Sequence, residues 1–328
     1  MVEFDFFWIS LTYGFLSFGL YIITLIMLKI HWSEFKSSFF KLYIYGFFVN
    51  FTEYFTSLLT TRIPGYIPKD GLFSSFFKTY SSEENPLFAL SILSGVEESA
   101  FIVQYLLSLV GAVNRLTLVM MLRHNEEVCV ISEKRTVDDT VQRWNTILPY
   151  LFVLLTLAPF LETHTWLFEE TYFAYHKGED FYYSTTGQNT DHLETVKFII
   201  LITSTVISAI CNTICFIKLR SLQKRVSSGE RNLILISFST FFFQLLALVM
   251  LIIILIIDEN EDSWFAHVMS HLMEISYDLI TITPPWLLIF FSDKANKKLR
   301  ELCDANKKST VQFLAISKAQ IVSKRCVT

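Results

Sequence analysis

The stretch Tyr277-Asp278-Leu279-Ile280-Thr281-Ile282-Thr283-Pro284-Pro285-Trp286-Leu287-Leu288-Ile289-Phe290-Phe291-Ser292-Asp293-Lys294 governs how the rest of the chain is read. An acidic residue stands inside an apolar run, a proline pair follows, and the run stops abruptly at a lysine- and arginine-rich segment. Proline removes a backbone donor and kinks a helix. Within a membrane the freed carbonyls find hydroxyls, waters or neighbouring helices, so such a break is tolerated there. Cationic residues directly after the run mark a cytoplasmic face. The stretch reads as the last crossing of a helical membrane protein, bent at Pro284 and Pro285.

The composition agrees. The chain has 328 residues, 52% hydrophobic and 18% charged, with 32 phenylalanines. Soluble domains carry about 25% charged residues. Seven apolar runs approach the roughly 20 residues that a helix needs to cross the hydrocarbon: residues 7–28, 39–60, 87–121, 144–161, 196–219, 233–257 and 267–291. The predicted fold is an all-α membrane protein, a seven-helix bundle over residues 1–291 with a tail from 292 to 328. Pro149 and Pro159 interrupt the fourth run, and residues 61–86, with three prolines and two glycines, read as a loop. The first run lacks a basic lead-in and is too long for a cleaved leader, so it is expected to remain as an anchor.

Lysine and arginine gather after the first, third, fifth and seventh runs, while Asp258, Glu259, Glu261 and Asp262 crowd a loop on the other side. That asymmetry places the N-terminus outside and the C-terminus inside. None of the five cysteines falls in an outer loop, so no disulfide is expected there. The sequon Asn50-Phe51-Thr52 lies within a run and is not expected to be glycosylated. In the outer segment 162–195, residues 171–175 and 181–185 are aromatic and β-branched around His176-Lys177-Gly178-Glu179-Asp180, the pattern of a hairpin. It serves either as a lid over an outer vestibule or as an aromatic anchor at the interface.

No phosphate loop, zinc-protease motif or nucleophile elbow is present, so covalent catalysis is not expected. No cofactor and no nucleic-acid partner is indicated. His267, His271 and Glu274 share one helical face with metal-ligand spacing, and are read as a polar stripe facing the bundle rather than a metal site. Along the third run Glu97, Phe101, Gln104, Ser108, Gly111 and Arg115 fall on one line. Polar residues in a span face the bundle interior. Glu97 and Arg115 are 18 residues apart, about 27 Å of helix, so they belong to opposite ends. The candidate ligand-binding residues are Glu97, Phe101, Gln104, His271 and Glu274; the candidate switch is Asn114, Arg115, Glu53, Asp278, Pro284 and Pro285. The alternative for Glu97 and Arg115 is that both simply reach headgroups or water.

Glu53, Glu274 and Asp278 lie deep in their runs, and no run interior carries a lysine. That excludes a retinal-type Schiff base. With no direct ion pair foreseen, the carboxyls are expected to be neutral, proton-sharing or water-bridged, Asp278 with Glu53 among them. After the last run, Phe291, Ala295, Leu299 and Leu302 form an apolar stripe among Lys294, Lys297, Lys298 and Arg300. The spacing predicts a short amphipathic helix over residues 293–303 lying on the anionic inner leaflet, ending at Cys303, either a lipidation candidate or an ordinary thiol.

Three motifs then carry a resemblance: Thr61-Arg62-Ile63-Pro64, Val113-Asn114-Arg115-Leu116-Thr117, and the seventh-run sequence from Pro284 to Ser292. In order and placement they resemble the nematode serpentine chemoreceptors of class gamma, within the wider group of G-protein-coupled receptors. The resemblance runs from about Phe7 to Arg300. It implies a receptor for small environmental or pheromone-like chemicals, on the plasma membrane of sensory cilia, coupled to a heterotrimeric G protein. The chain departs from rhodopsin-like receptors at several points. Asn114 stands where that group has an acidic partner of the arginine, the sixth run has neither proline nor tryptophan, and Thr283-Pro284 replaces Asn-Pro. A proton-coupled transporter and a ligand-gated channel subunit are the alternatives.

Overall fold

The computed structural model of the protein describes residues 2–66, 73–81, 87–124, 130–163, 171–176, 181–186, 191–221, 228–257, 264–302 and 304. Helices α1 (Val2–Ile30) and α2 (Ser38–Ser57) are joined through a 3-10 turn at Trp32–Glu34. A π-turn (Leu58–Arg62) leads from α2 straight into α3 (Ile63–Tyr66), and α4 (Ser74–Thr79) comes after it. Then come α5 (Phe88–His124), α6 (Val130–Thr163), the strands β1 (Thr171–His176) and β2 (Phe181–Thr186), α7 (Asp191–Ser221) and α8 (Ser228–Ile257). The last elements are α9 (Trp264–Ile282), α10 (Pro284–Phe291) and α11, residues 293–302.

Among the described residues, five helices are long and apolar enough to cross a membrane, over Phe7–Ile30, Phe88–Met120, Thr140–Leu161, Thr195–Lys218 and Asn232–Ile253. The other two expected runs differ from these in composition and continuity. Helix α2 carries Lys41, Asn50 and Glu53 along its 20 residues, and the seventh run is divided into α9 and α10. Pro284 and Pro285 occupy the first positions of α10, where a helix has no use for their missing donors.

An apolar core is present, but the surface and the buried polar groups differ from those of a water-soluble domain. Asn114 is fully buried, and Asn50, Glu53 and Gln104 are nearly so, whereas Phe15, Leu161 and Phe290 are 68%, 67% and 74% exposed. Polar groups inside and large apolar side chains outside is what a hydrocarbon solvent selects. At the centre stands α5, packed against α2, α6, α7 and α8. Close approach matters at Gly14 of α1, where a Cβ would land on the Tyr54 hydroxyl. Its absence lets that hydroxyl reach the Ser10 carbonyl at 3.2 Å.

Three expectations are corrected. Residues 61–86 are not simply a loop: α2 runs on helically to Tyr66, and α4 forms within the segment. Helix α6 starts at Val130 rather than 144, because its polar first turns carry no apolar signal, and it continues through Pro149 and Pro159. The stripe of α11 does not lie open to lipid. Phe291, Ala295 and Leu302 belong to one apolar cluster with Leu28 near the end of α1 and Phe35 just after the 3-10 turn. Lys298 meets the Glu34 carboxylate at 3.0 Å, and Lys294 donates to the Glu34 carbonyl at 2.8 Å. The hydrogen bond from Lys298 holds the Glu34 carboxyl below its usual range and lifts Lys298 in return. Cys303 lies outside the described residues.

The hairpin forms as the residue pattern predicts, antiparallel, with Thr171 opposite Thr186 and His176 opposite Phe181. Its inner face is neither adrift nor lipid-facing. Phe173 and Tyr182 are buried with Phe77 of α4 and Leu90 of α5. Backbone bonds from Phe173 to Tyr80 (3.0 Å) and from Leu87 to Thr171 (3.1 Å) stitch the hairpin to the end of α4 and the start of α5.

Candidate functional site

The site begins with the π-turn. A run of i→i+5 bonding inserts one residue into a helical turn and re-aims the side chains beyond it. Here the Ile63 N–H bonds the Leu58 carbonyl. The shift brings Arg62 back into the bundle, only 8% exposed, where it meets Asp278 of α9 at 2.5 Å. Arg62 also donates to the Ser10 hydroxyl at 2.9 Å, and that hydroxyl donates to the other Asp278 oxygen at 2.6 Å. The Tyr54 ring lies 4.8 Å from the guanidinium carbon. Three elements, α1, the end of α2 and α9, are thus clamped by one charged group. This overturns the expectation of an unpaired Asp278, which looked for a partner only inside the apolar runs. The signal was a single cation just beyond the second run, inside the Thr61-Arg62-Ile63-Pro64 motif.

Beside this clamp lies a partly open cavity of about 350 Å³. It is lined by Glu53, Ser57, Thr61 and Arg62 from the α2 end, Glu97, Glu98 and Phe101 from α5, Lys197 and Leu251 from α7 and α8, and Met273, Glu274 and Tyr277 from α9. Four residues singled out from the sequence, Glu53, Glu97, Phe101 and Glu274, therefore converge here. The side chains of His267 and His271 lie outside the described residues, and no cluster of metal-ligating groups occurs among those described. Glu97 accepts from the Thr60 hydroxyl at 2.5 Å. Glu53 accepts from the Thr281 hydroxyl at 2.9 Å, not from Asp278.

The polar line of α5 divides. Glu97 and Phe101 face the first cavity; Gln104, Ser108, Gly111 and Arg115 line a second, of about 120 Å³. Pro284 borders this second cavity as well. Between the two runs a chain of amides and hydroxyls. The Gln104 amide donates to Asn50 (2.9 Å) and to Thr281 (3.1 Å), and Asn50 donates to the Tyr21 hydroxyl at 3.0 Å. Thr281 completes the link to Glu53. At the far end Asn114 pairs with Ser38, the first residue of α2, at 3.0 Å. Arg115 lies over the Phe39 ring, 4.2 Å to its centroid. Trp286 of α10 donates to Ser17 of α1 at 2.8 Å, holding the segment after the proline break. Pro285 is buried beside it.

A deep polar chain joining two cavities in a bundle with an apolar exterior fits a membrane protein, and known proteins bear on which. The Srg family chemoreceptor model matches residues 7–299. Serpentine receptor class gamma-31 of Caenorhabditis elegans is 24% identical over 294 residues, covering 88% of this chain and 89% of that receptor. Serpentine receptor class gamma-3 of the same organism is 25% identical over 154 residues, 47% of this chain and 46% of its own. The motifs around Arg62, Arg115 and Pro284 pointed the same way, and the match extends over almost the whole bundle: the chain belongs to the Srg family of chemoreceptors, membrane proteins of the serpentine receptor kind.

Proposed function

We propose that this chemoreceptor crosses the membrane seven times with its N-terminus outside, takes a small-molecule ligand in the cavity beside Glu97, and signals through a heterotrimeric G protein at the opposite face. In this reading α2 and the α9–α10 pair supply the second and seventh crossings, with their polar residues turned inward. The observation that carries it is the hydrogen-bonded chain Glu53–Thr281–Gln104–Asn50, which joins the outer cavity to the inner one bounded by Arg115. A ligand that displaces Glu53 or Glu97 alters the partners of Thr281 and Gln104, and so the packing of α9 on α5 near the proline break. Asn114 and Arg115, with Ser38 and Phe39, form the inner end of this path. The inner leaflet, rich in anionic lipid, receives the basic segments after α1, α7 and α10.

The deciding experiment is nucleotide exchange on a purified heterotrimeric G protein, with the receptor in nanodiscs and a panel of small odorants and pheromone-like compounds. Ligand-dependent exchange supports the reading. Ligand binding, shown by a raised unfolding midpoint, without exchange on any G protein class would sink it. Localisation to a sensory-cilium plasma membrane belongs to the same proposal and is read by immunostaining of the tagged chain.

A further inference from the structure

The charges lining the outer cavity are not balanced, and the imbalance has a sign. Among the described residues its lining carries two cations, both engaged: Arg62 with Asp278 at 2.5 Å and Lys197 with Glu98 at 3.0 Å. Glu53 receives the Thr281 hydroxyl and Glu97 those of Thr60 and Ser57, while the Arg62 charge acts on both from beyond ion-pair distance. Among the described residues no ion pair reaches either one. A hydroxyl satisfies a lone pair but supplies no charge, and a carboxylate withdrawn from water without a counter-ion is costly.

We infer that the outer cavity takes a small organic cation, a protonated amine, whose charge is met by Glu97 and Glu53 and whose apolar part lies against Phe101 and Tyr277. Those two rings stand edge to face, with centroids 4.9 Å apart and planes at 80°. They present a corner of aromatic surface beside the carboxyls, and a ring face attracts a cation. The volume, about 350 Å³, lies at the small end of the range for ligand pockets and suits a compact ligand. An anion would have to strip Asp278 from Arg62 or Glu98 from Lys197, and would enter a region already rich in negative charge. The inference rests on the outer cavity being the ligand site of the receptor, but its test needs no G protein.

The test uses the full chain in phosphatidylcholine nanodiscs and three matched probes: phenethylamine, 2-phenylethanol and phenylacetate. Each is titrated while the unfolding midpoint is followed, since a ligand selective for the folded state raises it. The amine alone should raise the midpoint. Glu97→Gln, which keeps the shape, should weaken the amine by about tenfold, the scale of one charge-assisted contact. Lys197→Met releases Glu98 from its internal partner and should strengthen the amine several-fold. That gain keeps the idea falsifiable even if Glu97→Gln folds poorly. Equal shifts from all three probes, a larger shift from phenylacetate, no shift from the amine at millimolar concentration, or an amine response unchanged in both variants would each overturn it. Amine binding that survives while nucleotide exchange fails would leave this inference standing and remove only the coupling.

Discussion

Replacing Arg62 by Met and Asp278 by Asn, singly and together, measures what the clamp between the α2 end and α9 contributes. The two side chains are 8% and 12% exposed and 2.5 Å apart. Removing one partner of a buried pair costs about 3–5 kcal/mol, chiefly because the other charge is stranded. The two halves are not equivalent. Without Arg62, Asp278 is able to take up a proton and stay hydrogen-bonded to Ser10 as a neutral acid. In Asp278→Asn, Arg62 remains charged, because a guanidinium does not deprotonate in a protein, and within hydrogen-bond reach it has only neutral acceptors (Ser10, the carboxamide oxygen and a long bond to Ser57) with the Tyr54 ring beside it and Glu53 attracting it from farther away. Asp278→Asn should therefore fall near the upper end, about 5 kcal/mol, and Arg62→Met near the lower, about 3 kcal/mol. The double replacement should cost well under their sum, with a coupling of about 2 kcal/mol or more. Thermal unfolding in nanodiscs at one scan rate gives the ordering, read by a thiol dye on Cys211 and Cys215, which are buried in α7. Midpoints that fall additively would mean that the two side chains do not act as a pair. An Asp278→Asn chain as stable as Arg62→Met would mean that a stranded guanidinium costs no more than a stranded carboxyl.

Arg115→Ala should abolish ligand-evoked exchange at matched surface level; undiminished exchange would reduce Arg115 to an anchor that packs on Phe39. An epitope before Met1 should label on intact cells and one after Thr328 only after permeabilisation, and surface labelling of the latter would remove the proposed topology. The dock of α11 should depend on pH in a defined direction. Glu34 is held below its ordinary pKa by Lys298, so its contribution is fully present above the usual carboxylate range, about pH 4.3, and is lost as the pH falls through the lowered value. A spin label at the exposed position 297 should stay immobile at pH 5 and gain mobility only below the ordinary glutamate value, about pH 4.3; release at pH 5–6 would contradict the assignment.

Much of this arrangement was legible in the residues because it depends on period and composition. The apolar runs located the long helices, the break at Pro284 divided α9 from α10, and the alternating aromatics announced the hairpin. The line from Glu97 to Arg115 was legible as one that lines cavities, Glu97 the first and Arg115 the second, since helical periodicity fixes which side chains share a face. Contacts between segments distant in the chain stayed hidden. Nothing local to Asp278 says that Arg62, 216 positions away, closes on it. Nothing in the basic run after Ser292 says that Glu34 takes two of its lysines. The early turns of α6 were missed for the opposite reason: they are helical without being apolar, so a search for apolar runs passes over them.

The π-turn at Leu58–Arg62 also changes what a gap in an alignment means. Each residue of an α-helix advances about 100° around the axis. Losing one residue between Leu58 and Arg62 would restore ordinary winding and swing the guanidinium roughly a quarter-turn away from Asp278. Gaining one elsewhere in the segment would displace it as far the other way. A single-residue indel here is therefore a rotation, not a change in loop length, and relatives carrying one should be searched for a compensating cation one position along.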